Sequence, residues 1–159
     1  MKLHPIFKSR TENFRVNTVL AVLKKLLNDE SKKFHFKWQS ENSFIISLNF
    51  SVGTNLIFDT NYPNTKSDII YYGVLLEMKD SKTEILLKTK RKLFLVFLMI
   101  ALPILVIIIQ TFIDVEFPIF MIALFLFPVA IFVLLNFIKS EEDRLLKLFI
   151  EFLNHRLNS

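Results

Sequence analysis

The sequence predicts an α+β membrane protein. In it, an antiparallel sheet of about five strands packs with an N-terminal and a C-terminal amphipathic helix, and a two-helix transmembrane hairpin is inserted before the last helix. Two observations carry this reading. Residues 93–138 hold two long uncharged apolar runs joined by a short acidic turn, and from Lys33 onward apolar and polar residues alternate with period two. The expected organisation is a helix plus sheet over 1–92, a hairpin over 93–138 with spans 93–113 and 117–138, and a helix over 139–159 that docks back on the first part.

Each apolar run is about 20 residues long. At roughly 1.5 Å per residue a helix of that length matches the ~30 Å hydrocarbon core of a bilayer. Lys88, Lys90, Arg91 and Lys92 precede the first run, Lys139, Arg144 and Lys147 follow the second, and the turn holds only Asp114 and Glu116. Cationic flanks stay on the cytoplasmic side. The expected location is therefore a bacterial inner membrane, with two spans, the lipid bilayer as partner and both termini cytoplasmic. Residues 1–10 (MKLHPIFKSR) lack an apolar segment of leader type, so no signal peptide is expected. Pro103 and Pro128 would stand at matching depths, each removing one helical hydrogen bond. Neither run carries an ionisable group, which argues against a transport path.

In chain order, Ser9 and Glu12 fit a capping box. Val16, Val19, Leu20, Leu23, Leu26 and Leu27 then recur at helical spacing, predicting a helix over about 11–28. Residues 33–39 alternate Phe34, Phe36 and Trp38 against Lys33, His35 and Lys37, the pattern of a half-exposed strand. Phe44, Ile46 and Leu48 continue the alternation after a turn at Ser40. A short strand is expected over 55–59, and Tyr62 and Pro63 fall in the polar loop after it. The fourth strand is expected over 67–79, with Ile70, Tyr72, Val74, Leu76 and Met78 on its more apolar side. The fifth runs over 82–90, with Thr83, Ile85 and Leu87 alternating against Glu84, Leu86 and Lys88. Ser140 reads as the N-cap of the last helix, whose apolar side carries Leu145, Leu146, Phe149, Phe152 and Leu153.

Composition excludes more chemistry than it suggests. Lys and Arg number 20 against 15 Asp and Glu, and the excess lies in residues 1–92, so the basic balance does not imply a nucleic-acid partner. With no cysteine there is no disulfide or thiolate chemistry. His4, His35 and His155 stand far apart, which speaks against a metal site. Only Gly53 and Gly73 are glycines, so no glycine-rich phosphate loop can form. No catalytic constellation, cofactor site or metal site is expected, and the chain reads as a non-enzyme.

The function expected is binding of a membrane or cytoplasmic protein partner by the α+β module, as an accessory subunit, an assembly factor or an immunity-type protein. The alternative is binding of lipid or another hydrophobic ligand by the same module. Candidate contacts are Tyr62, Pro63 and Tyr71 for a partner, and Lys88, Lys90, Arg91 and Lys92 for anionic lipid.

Overall fold

The computed structural model describes residues 9–29, 32–49, 69–79, 81–89, 93–112 and 119–157. Within the helices of the apolar half it describes side chains over 101–111 and from 125 onward. The chain divides into two compact units. One comprises Met1–Lys8 with Arg91–Ser140, the other Ser9–Lys90 with Glu141–Ser159.

The second unit is α+β. Its five strands are β1 (Thr11–Val16), β2 (Phe34–Trp38), β3 (Ser43–Leu48), β4 (Ile70–Glu77) and β5 (Thr83–Thr89), with helix α1 (Leu20–Leu27) between β1 and β2. All pairings are antiparallel, in the order β1-β5-β4-β3-β2. Strands β2 to β5 form a meander, while β1 joins its far edge beside β5.

The first strand corrects the expected helix over 11–28. Phe14 and Val16 alternate with polar Asn13 and Arg15, and six register pairs from Thr11↔Lys88 to Val16↔Thr83 give this stretch a sheet edge to complete. The capping box at Ser9 is not used. Helix α1 begins after Val19, which is extended and makes no side-chain cap. Eight residues are a marginal helix by themselves. Leu23 and Leu27, both fully buried, hold α1 to the core.

One face of the sheet is closed. Phe34, Phe44, Ile46, Leu48, Tyr71, Leu75, Ile85 and Leu87 are buried on it together with Val16. The final part of helix α3 (Ile119–Leu157) supplies buried Leu145, Leu146, Phe149 and Leu153 to the same unit. Phe149 meets Phe34 and Phe44 with ring centroids 5.8 and 6.0 Å apart, and Phe152 meets Phe34 at 5.6 Å. Lys32 ties the layers further, since its ammonium donates to Leu27 O at 2.8 Å and to Asp29 O while lying over the rings of Phe36 and Phe152.

Strand β4 inverts its expected faces. Tyr71 and Leu75 point into the closed layer, whereas Val74 and Leu76 lie on the other side, 39% and 41% exposed. Every position from Ile69 to Leu76 except Gly73 is apolar or aromatic, so hydropathy does not choose between the two faces. Gly73 does. A Cβ there would lie 2.2 Å from Phe44 Cζ, so the ring occupies the space a larger residue would need. The strand expected over 55–59 lies outside the described residues.

The apolar unit contains α2 (Leu93–Phe112), which includes Pro103, and the first part of α3, which includes Pro128. Among the described residues, no helix is long and apolar enough to cross a membrane. This overturns the transmembrane hairpin with spans 93–113 and 117–138 and the inner-membrane location with cytoplasmic termini.

Nor does the last helix start at Ser140. Helix α3 runs unbroken through Lys139, Ser140 and Glu141, because no residue there interrupts the hydrogen-bond ladder and Ser140 has no helix end to cap. Ile104, Leu105 and Ile107 in α2, and Phe125, Val129 and Val133 in α3, are exposed apolar side chains. Two polar side chains here bond their own helix: Thr111 Oγ1 donates to Ile108 O at 2.6 Å and Asn136 Nδ2 to Phe132 O at 2.8 Å.

Candidate functional site

Two features of the α+β unit stand out, a half-buried polar cluster at the start of β1 and an open stretch on the second face of the sheet.

The cluster is built around Arg10. Its backbone is pinned to the end of β5, with Arg10 N donating to Thr89 Oγ1 at 2.8 Å and Thr89 N donating to Arg10 O at 2.9 Å. That fixes the guanidinium beside two carboxylates. Nε donates to Glu12 Oε1 at 2.6 Å, and Nη1 donates to Asp143 Oδ1 on α3. Burial disfavours the charge, but the hydrogen bonds to Asp143 and Glu12 outweigh it and hold Arg10 above its ordinary range. One turn of α3 adds the buried Glu141 and Glu142, and Arg144 donates to Glu141 Oε1 at 3.1 Å.

Tyr71 faces this cluster from β4, opposite Thr89 in register. Its side chain is fully buried, and its hydroxyl has no hydrogen-bond partner among the described residues. Burial raises its pKa above the ordinary 10.0. Arg10 opposes the rise, while Glu142, Glu12 and Asp143 add to it. Since the phenol is held neutral in the fold, the unfolded chain releases its proton first as pH rises. The stability linked to Tyr71 is therefore complete below pH 10 and is lost progressively above it. Tyr71→Phe should leave stability at pH 7 unchanged or raised, because the hydroxyl is buried without a partner. It should also reduce the loss of stability above pH 10. Urea titrations of the two proteins at pH 7 and at about pH 10.5 check both points. A large loss at pH 7 would mean that the hydroxyl has a partner.

Arg10 is engaged by two carboxylates and links the start of β1 to β5 and α3. Among the described residues, no three His, Asp or Glu side chains are grouped to hold a metal ion.

The second face is read from the sheet register. Across the sheet run the rows Lys37, Ile45, Tyr72, Lys88, Thr11; then Ser43, Val74, Leu86, Asn13; then Leu76, Glu84, Arg15. Ile45, with Ser47 and Ile70 in the preceding row, is buried, whereas Val74 and Leu76 are exposed and Leu86 is half-buried. The open part therefore lies over β4, β5 and β1. Glu84 accepts from Asn13 Nδ2 at 2.6 Å and faces Arg15 Nε at 3.7 Å.

The sequence-derived candidates distribute unevenly over these features. Tyr71 lies fully buried in the closed layer, and its neighbour Tyr72 holds the opposite, half-buried position. Lys88 is exposed on the open face. Tyr62, Pro63, Lys90, Arg91 and Lys92 lie outside the described residues. The Arg10 cluster escaped the sequence reading, since Arg10 and Asp143 are 133 positions apart. Compared with protein-family models, with curated proteins and with solved structures, the chain finds no match.

Proposed function

We propose that the α+β unit is a non-catalytic binding module that engages a protein partner through the open face over β4 and β5. The observation that carries this reading is the contrast along β4. Tyr71 and Leu75 are sealed under the helices, while Val74 and Leu76, in the same strand, remain exposed beside Leu86. Adjacent apolar side chains on a rigid sheet, bordered by Lys88, Arg15 and Glu84, have the composition of an interaction patch. The sheet positions them without help from a ligand, so little ordering cost opposes binding.

The test places a photo-crosslinking amino acid at Leu76, or at Lys25 on exposed α1 as a control. The full chain is then crosslinked in its own cells and the products weighed. A stoichiometric protein adduct at position 76 and not at 25 is the expected result. Equal labelling at both positions, or none at 76, would overturn the reading.

A further inference from the structure

The charge around the open face narrows the partner's chemistry. On the reading that this face binds a protein, we infer that the partner presents an amphipathic helix with carboxylates along one flank. The closed face of the same sheet is already covered by helices, the usual way a sheet buries an apolar side. Adjacent strands are about 4.8 Å apart, so β4 to β1 spans roughly 10 Å, one helix diameter. A helix seated on Val74, Leu76 and Leu86 therefore brings one flank over β1 and the end of β5.

Cations stand there. Arg15 is 70% exposed on β1 and Lys88 is exposed on β5. The acidic group of these rows, Glu84, is only 17% exposed and already accepts from Asn13 while facing Arg15. The border is thus net positive toward an incoming side chain. Carboxylates on the partner would meet Lys88 and Arg15, and cations would meet repulsion that no other acidic group of these rows offsets. An apolar helix with acidic flanking residues satisfies both halves of the surface.

The probe is a fluorescent helical peptide of about 18 residues, roughly 27 Å long, made of Leu along one stripe and Glu along its flank. It is compared with a Lys-for-Glu analogue and a scrambled isomer, each titrated against the full chain by anisotropy. The Leu/Glu peptide should bind at least about tenfold tighter than either control. Leu76→Glu and Lys88→Glu should each weaken it by about tenfold or more, with unchanged far-ultraviolet circular dichroism. Added salt should weaken binding to the parent chain and have less effect on Lys88→Glu.

Equal affinity for the Lys analogue would overturn the inference, as would indifference to both substitutions. So would self-association of the chain that Leu76→Glu abolishes, since a second copy would then be the occupant. These failures are separable from failure of the binding-module reading. If crosslinks form at position 76 but the Leu/Glu peptide does not bind, only the partner's chemistry is wrong.

Discussion

Phe149→Ala should cost about 3–5 kcal/mol, a large fraction of the roughly 5–15 kcal/mol that stabilises an ordinary domain. Phe149 is fully buried and meets the rings of Phe34 and Phe44, so it joins the closing part of α3 to strands β2 and β3. Truncation removes a large apolar surface and two edge or tilted ring contacts, and it leaves a cavity between layers that cannot collapse freely. The effect should appear as a lower urea midpoint for the transition that reports on Trp38, whose ring belongs to the same aromatic group through Phe36 and Phe44. Phe149→Leu, which keeps most of the volume, should cost clearly less than the alanine variant. If Phe149→Ala unfolded at the parent's midpoint, the packing of α3 on this sheet would be wrong.

The sequence made some of this architecture legible and hid the rest for identifiable reasons. Strands β2, β3 and β5 are readable because each has one polar and one apolar side: Lys37 against Phe36, Ser47 against Ile46, Lys88 against Leu87. Period two then leaves no choice of face. Strand β4 has no such contrast, and the decisive residue, Gly73, matters only because Phe44 lies opposite it in the paired strand. Strand β1 is ambiguous for a different reason. Val16 and Leu20 satisfy helical spacing, while Phe14 and Val16 alternate with polar Asn13 and Arg15, and only the unpaired edge of β5 decides between them.

The polar cluster was hidden more deeply. Arg10 resembles a solvated cation and Glu141 to Asp143 resemble an acidic first turn, until the fold brings them together. Reading Ser140 as a helix start concealed this, because it made those carboxylates partners of a helix terminus. Within the continuous α3, Asp143 accepts from Arg10 just ahead of β1. The open face is half legible, since alternation puts Val74 and Leu76 together on one side, but their hydropathy alone points that side to the core.

Gly73→Ala is the sharpest test of the inverted β4. The added methyl would lie 2.2 to 2.6 Å from three atoms of the Phe44 ring. That ring has little room to retreat, being fully buried, stacked on Phe36 at 5.1 Å and approached by Trp38 at 5.8 Å. Overpacking of this kind costs about 1–3 kcal/mol and occasionally more; the crowding around Phe44 places the expected value at the upper end. The cost belongs to the pair, so a double-mutant cycle isolates it. Phe44→Ala alone should lose about 3–5 kcal/mol. In that background Gly73→Ala should become neutral or stabilising, because alanine loses less backbone freedom on folding than glycine does. The coupling should exceed about 1 kcal/mol and favour the double variant over the sum of the singles. Were Gly73→Ala equally costly with and without the Phe44 ring, the two residues would not face each other. Tyr71 and Leu75 would then return to the outer side of the sheet, and the open patch of Val74 and Leu76 would disappear with them.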